Sequence, residues 1–191
     1  MISTAGAALS DELHELLAVR ALKFGQFTLT SGRTSDFYVD GRQVTLDGRG
    51  LYLIARLVLE YCREHEIDAV GGLTMGADPI AAGVAALSGT DATPITAFIV
   101  RKEVRDHGTG RTIEGPDLRP GMRVLLVDDT LTTGGTFLQA QEKVAATGAT
   151  IVGALCVVDR EEGGRAALEA AGLTLHCLFR RSDFSLRKSP S

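Results

Sequence analysis

Two adjacent carboxylates, Asp128 and Asp129, follow the apolar run VLLV and precede the turn TLTTGG. Carboxylates accept hydrogen bonds from vicinal hydroxyls, and they favour a nearby cationic centre. The turn offers backbone N–H groups, threonine hydroxyls and glycines, and it leads into a predicted helix whose N-terminus favours a phosphate. A ligand with ribose hydroxyls at one end and a phosphate at the other suits both halves. An ordinary strand–turn–helix with a solvated acidic pair is the alternative.

This turn lacks two common nucleotide-binding signatures. No GK[ST] follows its glycines, as in a Walker loop, and it contains no GxGxxG, as in a dinucleotide fingerprint. Ligands of open parallel sheets bind at the carboxyl ends of the strands, which is where the two acids lie. We therefore expect a site for ribose and its phosphate at this edge.

A basic segment, RKEVRDHG, places Arg101, Lys102, Arg105 and His107 within a few residues. Four such donors could neutralise a pyrophosphate, and the glycines that follow would allow the segment to close over it. A solvated charged loop is the alternative, because charge runs are common in loops.

A single arginine, Arg160, follows the predicted strand TIVGALCVVD at the same sheet edge as the acidic turn. A cation there suits a carboxylated planar ring. Arg160 could instead simply pair with Asp159, Glu161 or Glu162.

Alternating strands and helices must position these residues. Continuously apolar strands separated by helices indicate a mostly parallel central sheet flanked by helices, an α/β fold. Asp78 is predicted to cap one of the helices, with Pro79 at its first position. The predicted order from residue 68 is strand DAVGGLT, helix, strand TPITAFIVRK, strand MRVLLVDD, helix GGTFLQAQEKVAATG, strand TIVGALCVVD, helix GRAALEAAG and strand LTLHCLF.

The N-terminal part predicts a smaller unit. Ser10 is predicted to cap a helix over DELHELLAVRAL, and GLYLIARLVLEYCREHE shows a second helical apolar stripe. The intervening FTLTSGRTSDFYVD alternates as short strands do. We predict one domain over residues 1–191, with residues 1–45 as an N-terminal hood and residues 102–121 as a long flexible loop without a helix.

The composition excludes several classes of protein. A net charge of −4 argues against general affinity for nucleic acid, which requires an excess of Lys and Arg. No apolar run approaches the roughly 20 residues of a membrane helix, so we expect a soluble cytoplasmic protein. Cys62, Cys156 and Cys177 are widely spaced in apolar surroundings and are expected to be reduced core thiols.

Several motifs resemble a known family. VLLVDDTLTTGGT resembles the phosphoribosyl pyrophosphate signature of the type I phosphoribosyltransferases. RKEVRDHG is similar to the catalytic loop of the orotate phosphoribosyltransferases, with Arg105 where many members have lysine. ALKFGQFTLTSGRTSDFYVD resembles that family's hood. GGLTMGADPIAAG stands where some members have a lysine near the pyrophosphate; it has none here, so only its backbone is expected to line the site.

The resemblance implies roles for individual residues. Lys102, Asp128 and Asp129 would be catalytic. Phe37 and Tyr38 are equally consistent with core positions. Phosphoribosyl pyrophosphate would be bound by Lys23, Arg101, Lys102, Arg105, His107, Asp128, Asp129, Thr130, Leu131, Thr132, Thr133, Gly134, Gly135 and Thr136. Orotate would be bound by Thr132, Arg160, Phe37 and Tyr38.

The resemblance also implies the reaction. Phosphoribosyl would pass from phosphoribosyl pyrophosphate to orotate, giving orotidine monophosphate and pyrophosphate for pyrimidine biosynthesis. Mg²⁺ would be bound mainly through substrate and water, with no direct protein ligand. A homodimer would form, with the loop of one chain acting as a lid in the neighbouring active site. A purine phosphoribosyltransferase and a non-catalytic sensor of phosphoribosyl pyrophosphate are the alternatives.

Overall fold

A computed structural model describes residues 4–28, 34–103 and 111–184. In the described ranges a six-stranded sheet, a separate two-stranded sheet and six α-helices make up the fold. In chain order they are α1 (Thr4–Arg20), β1 (Leu22–Thr28), β2 (Thr34–Val39), α2 (Arg42–Thr45), α3 (Gly48–Glu64), β3 (Ala69–Leu73), α4 (Ala77–Ser88), β4 (Thr96–Val100), β5 (Ile113–Glu114), β6 (Arg123–Leu131), α5 (Gly135–Ala145), β7 (Thr150–Asp159), α6 (Gly164–Ala170) and β8 (Leu175–Arg180).

The central sheet has the strand order β5-β4-β3-β6-β7-β8, and every pairing is parallel except β4 with β5. Alternate residues of each strand enter opposite hydrophobic layers, as the pleat requires. Leu125 and Val127 pack into the layer with α1, α3 and α4, whereas Val124 and Leu126 pack with α5 and α6. The predicted α/β architecture is confirmed.

A small antiparallel unit precedes the sheet. β1 pairs with β2, so that Lys23 lies opposite Tyr38 and Phe24 opposite Phe37. Helix α1 packs on α3 through the buried Leu13 and Leu17. The short strands predicted from the alternating pattern are present, and they lie beside the carboxyl end of the main sheet.

Two predicted helix starts were wrong. Helix α1 begins at Thr4, because the alanine-rich segment before Ser10 favours helix and extends it backwards. Helix α4 begins at Ala77, after Gly76, so Asp78 lies within the first turn. The Asp78 carboxylate accepts a hydrogen bond from Thr74 Oγ1 at 2.7 Å instead of capping the helix.

The segment predicted as a long loop is partly ordered by the sheet. Ile113 and Glu114 form β5 against Val100 and Ile99, and Leu118 is buried. Residues 104–110 lie outside the described part of the chain. The loop within residues 102–121 therefore returns to the sheet edge before it reaches β6.

The cysteines are free thiols: Cys62 and Cys156 are buried, and Cys177 is partly buried. This agrees with the expectation of reduced thiols. None of the described helices combines the length and the apolar character needed to cross a bilayer.

Candidate active site

A cavity of about 310 Å³ opens at the carboxyl ends of the parallel strands. It lies where β3, β4, β6 and β7 each end, with the segment after β2 closing one side. Its walls are formed by Val39, Asp40, Gly41, Arg42, Leu73, Thr74, Met75, Gly76, Lys102, Asp128, Asp129, Thr130, Thr132, Thr136 and Arg160.

The acidic pair lies on the floor of this cavity. Asp128 is 6% exposed, its Oδ2 accepts a hydrogen bond from Thr136 Oγ1 at 2.7 Å, and its Oδ1 accepts one from the Asp129 N–H at 3.0 Å. Burial, together with the charge of Asp129, raises the pKa of Asp128 to about 7. Burial also raises the pKa of Asp129. The pair is therefore poorly compensated, and a ligand that brings hydroxyl donors or positive charge would relieve it.

Two glycines allow the chain to pass over these carboxylates. A Cβ added at Gly41 would lie 2.6 Å from Asp129 Oδ2, and one added at Gly76 would overlap Asp128 Oδ1. Gly41 follows β2 and Gly76 precedes α4, so backbone from the hood and from α4 meets above the acids. Any larger residue at either position would displace a carboxylate.

The turn after the acids leads directly into α5. Gly134 adopts the left-handed conformation at φ 87° and precedes the first residue of the helix. The first-turn N–H groups of a helix have no intrahelical acceptors, and Thr132 and Thr136, on either side of the helix start, both line the cavity. The Gly164 N–H donates to Thr132 O at 3.0 Å, which ties this turn to α6. The arrangement can hold a phosphate.

Arg160 forms the opposite side of the cavity. Its side chain is only 7% exposed, and Nη2 lies 2.6 Å from Glu162 Oε1. Nη2 also donates to Phe37 O at 3.4 Å, whereas Nε is buried without a hydrogen-bond partner in the described structure. The pairing with Glu162 that the sequence left open is thus present, and Arg160 still lines the cavity.

The loop that carries Arg160 is held from several directions. The Arg160 N–H donates to Leu131 O at 3.0 Å, which joins the loop to the end of β6. Asp159 accepts from the Glu161 N–H at 2.9 Å and from Arg165 at 3.2 Å. Such anchoring fixes the direction of the guanidinium before any ligand arrives.

The cavity wall contains seven of the residues predicted from the sequence: Lys102, Asp128, Asp129, Thr130, Thr132, Thr136 and Arg160. Other predicted residues are described but do not line it, namely Lys23, Phe37, Tyr38, Arg101, Leu131, Thr133, Gly134 and Gly135. Arg105 and His107 lie outside the described residues. Phe37 and Leu131 do not line the cavity because their side chains are buried in the two hydrophobic layers, where each is 1% exposed.

The start of the basic segment is held in place by one ion pair and by hydrogen bonds to its main chain. The Arg101 guanidinium lies 3.2 Å from Glu114, and the Arg101 N–H donates to Thr112 O at 2.9 Å. The carbonyls of Arg101 and Lys102 both accept hydrogen bonds from Lys143 Nζ. The Lys102 side chain is exposed at the cavity.

The sequence did not point to Asp40 or Arg42. They form an ion pair at 2.9 Å on the cavity wall. The charge of Arg42 also partly offsets the rise that burial causes in the pKa of Asp129. They reach the site because the hood packs against the strand ends, which no local pattern reveals. The only signal was the placement of Asp-Gly-Arg directly after a predicted strand.

No group of three or more His, Cys, Asp or Glu side chains in the described ranges is arranged to hold a metal ion. The carboxylates of Asp40, Asp128 and Asp129 and several hydroxyls at the cavity suit a cation that arrives with its own phosphate and water ligands.

A model of the phosphoribosyl transferase domain matches residues 44–170, from α2 to the end of α6. The match spans five of the six strands of the central sheet, β3 to β7, together with the acidic turn and the basic segment. This protein is a phosphoribosyltransferase by fold and site.

The comparisons resolve the family further. The chain is 44% identical over 176 residues to the orotate phosphoribosyltransferase of Aquifex aeolicus, covering 91% of this chain and 96% of that one. The crystal structure of Mycobacterium tuberculosis H37Rv orotate phosphoribosyltransferase with Fe(III) dicitrate superposes with a TM-score of 0.80 at 42% identity, covering 93% and 99% of the two chains. The same enzyme with 5-phospho-alpha-D-ribosyl 1-diphosphate gives 0.71 at 39% identity, covering 93% and 97%. The chain belongs to the orotate phosphoribosyltransferase family.

Proposed function

We propose that this protein transfers the phosphoribosyl group from 5-phosphoribosyl 1-diphosphate to orotate, giving orotidine 5'-monophosphate and pyrophosphate in pyrimidine biosynthesis. The observation that carries the proposal is a cavity lined together by a poorly compensated acidic pair, by a buried arginine and by the threonines of the turn between them. The names of the relatives support orotate as the acceptor, and the M. tuberculosis complex supports the donor.

The carboxylates of Asp128 and Asp129 accept hydrogen bonds from the vicinal hydroxyls of the ribose. As the bond between the ribose carbon and pyrophosphate breaks, positive charge develops on the sugar. Two carboxylates in a buried site stabilise that charge more strongly than water would. Thr136, which already donates to Asp128, keeps that carboxylate oriented.

The 5-phosphate lies in the turn from Thr130 to Thr136, at the N-terminus of α5. Threonine hydroxyls and first-turn N–H groups donate to its oxygens. The remaining residues of the turn contribute through their main-chain groups, namely Leu131, Thr133, Gly134 and Gly135. Thr133 also offers its hydroxyl.

The departing pyrophosphate meets the cations after β4. Lys102 stabilises its charge from the cavity wall. Arg101, which is paired with Glu114, contributes positive charge from further away. Arg105 and His107, which are not among the described residues, are proposed as further contacts of the pyrophosphate. Lys23, exposed on β1, makes an additional contact with the donor.

Orotate lies between the acidic turn and Arg160. The guanidinium binds the carboxylate of the pyrimidine, because a planar fork suits a planar anion. Thr132 contacts the ring, and Tyr38 of β2, which does not line the cavity, would approach the ring once orotate is bound. The buried Phe37 contributes through its carbonyl, which already accepts from Arg160.

Mg²⁺ accompanies the donor and neutralises charge on its pyrophosphate when bound. The ion would be held mainly through the substrate and water, and Asp128 and Asp129 would contact the ribose hydroxyls instead of enclosing the ion. The residues of the cavity suit such an arrangement because Asp128 and Asp129 share its wall with several threonines, while the third carboxylate of the cavity, Asp40, is paired with Arg42.

The protein acts in the cytoplasm as a homodimer whose basic loop serves the neighbouring active site. Mixing His107→Ala with Asp128→Asn tests the exchange. Since half of the reassociated dimers are mixed and each then holds one intact site, about a quarter of the wild-type activity should return. No recovery would place the loop in the active site of its own chain.

The assay of the proposed reaction is the loss of orotate ultraviolet absorbance in the presence of phosphoribosyl pyrophosphate and Mg²⁺. We expect a decrease that depends on both. Adenine and hypoxanthine, offered as acceptors in place of orotate and monitored by chromatography, should remain unconverted. An unchanged orotate signal with folded protein would contradict the proposal, and conversion of a purine would assign the chain to a different acceptor.

A further inference from the structure

Lys143 lies in the last turn of α5, outside the cavity that we assign to catalysis. Its Nζ donates to Arg101 O at 2.5 Å and to Lys102 O at 2.9 Å. Holding a long lysine side chain in one conformation costs rotamer entropy, so a half-buried lysine that donates to two particular carbonyls is a defined contact.

The two carbonyls belong to the point at which the chain leaves the sheet. β4 ends at Val100, and the Arg101 peptide is also held by its N–H bond to Thr112 O. Among the hydrogen bonds of the described residues, the Lys102 carbonyl receives one only from Lys143. The main chain from which the Lys102 side chain enters the cavity therefore depends on this contact.

Helix α5 joins this contact to the phosphate turn. The helix begins at Gly135, directly after the turn that borders the acidic pair, and Lys143 stands eight residues further along it. A short helix is rigid along its axis. The separation between the phosphate turn and the Lys102 peptide is thus set by one element and two hydrogen bonds.

We infer that Lys143 is a positioning residue, which holds the Lys102 main chain at a fixed place relative to the phosphate turn. This inference rests on the role of Lys102 in the proposed function. A positional error of about 1 Å in a catalytic group can cost up to a hundredfold in rate. The contact therefore acts on kcat, whereas recognition of orotate, which involves Arg160, remains unchanged.

The test uses two substitutions at Lys143 and one matched control. Lys143→Met keeps an apolar stem and removes the donors, and Lys143→Arg restores donors. Gln141→Met removes a comparable bond from the same helix, since Gln141 Nε2 donates to Ala171 O at 3.1 Å away from the cavity. We expect Lys143→Met to lower kcat about tenfold with an unchanged KM for orotate. Lys143→Arg should recover most of the rate, and Gln141→Met should match the wild type.

A double-mutant cycle separates positioning from general stabilisation. Once Lys102 is replaced by Ala, its position no longer matters, so adding Lys143→Met should lower kcat no further. If the two losses multiply, or if Lys143→Met leaves kcat unchanged while Lys102→Ala lowers it, the inference is wrong. If Lys102→Ala itself leaves kcat unchanged, the proposed role of Lys102 fails first.

Discussion

The two edges of the central sheet carry cavities of opposite character. The larger, about 920 Å³, lies at the amino ends of β3, β4 and β6, and the carboxylates of Asp68 and Asp91 in its wall both have partners within the protein. Arg63 contacts Asp91 through two nitrogens, and Asp68 accepts from the Arg123 N–H at 2.8 Å. The smaller, about 310 Å³, lies at the carboxyl ends, where burial raises the pKa of Asp128 to about 7.

The comparison indicates that poorly compensated charge identifies the active site better than cavity volume does. Paired charges at the amino edge have little to gain from a ligand. The acidic pair at the carboxyl edge gains whenever a hydroxyl or a cationic centre approaches, and that gain is available for binding and catalysis. Substitutions at the two edges should therefore differ sharply in their effects.

Removing an acid at the carboxyl edge should have the largest effect. We expect Asp129→Asn to lower kcat/KM for phosphoribosyl pyrophosphate by about 10² to 10³, the usual cost of losing one stabilising group in a buried site. Asp91→Asn removes a carboxylate of the same type at the amino edge and should change kcat/KM by less than about twofold. Initial rates at varied donor concentration compare them, and equal losses would end the distinction between the edges.

Arg160→Lys should have the next largest effect, on the acceptor alone. Lysine keeps the charge but loses the planar fork, so we expect the KM for orotate to rise about tenfold or more while the KM for the donor changes little. Arg63→Lys is the control, because it alters an ion pair of the amino edge. A parallel rise in both KM values would argue against a separate acceptor site at Arg160.

Gly76→Ala tests the close approach of backbone to the acids. The new methyl would overlap Asp128 Oδ1, so we expect kcat to fall about tenfold as the carboxylate is displaced. Gly48→Ala places a methyl in open space on α3 and should leave kcat unchanged. Steady-state kinetics of the two variants makes the comparison, and a fully active Gly76→Ala would mean that the acids tolerate displacement.

The smallest effect concerns stability against pH. Folding raises the pKa of Asp128 from 3.8 to about 7, so between these values the folded state retains a proton that the unfolded chain releases, and the free energy of unfolding falls as pH rises from about 4 to about 7. Asp128→Asn should then raise the Tm of the free protein at pH 8 by roughly 5 °C, with little change at pH 4. Asp91→Asn should not raise it. A Tm of Asp128→Asn below that of the wild type at pH 8 would contradict the strain at the carboxyl edge.

The local parts of this arrangement could be predicted from the sequence. β7 has the bounds that its apolar run indicated, whereas α5 ends at Ala145, three residues before Gly148, the last residue of the helix that the sequence predicts. The acidic turn and Arg160 could be found because each follows a strand of a parallel sheet, so their positions follow from chain direction alone.

The remaining features depend on packing between distant segments. Asp40 and Arg42 reach the cavity because the hood packs on the sheet edge, and Phe37 is buried beneath Arg181 by the same packing. Asp78 failed as a cap because Thr74 donates to it, a contact that no cap pattern contains. Lys143 shows no signal in the sequence, since its acceptors are main-chain carbonyls.

The most direct test of the central claim is a crystal structure with phosphoribosyl pyrophosphate and Mg²⁺ bound. The ribose hydroxyls should lie within about 3 Å of the carboxylates of Asp128 and Asp129, with the 5-phosphate at the N-terminus of α5. A donor bound with its hydroxyls turned away from both acids, or lying in the larger cavity at the amino edge, would contradict the account.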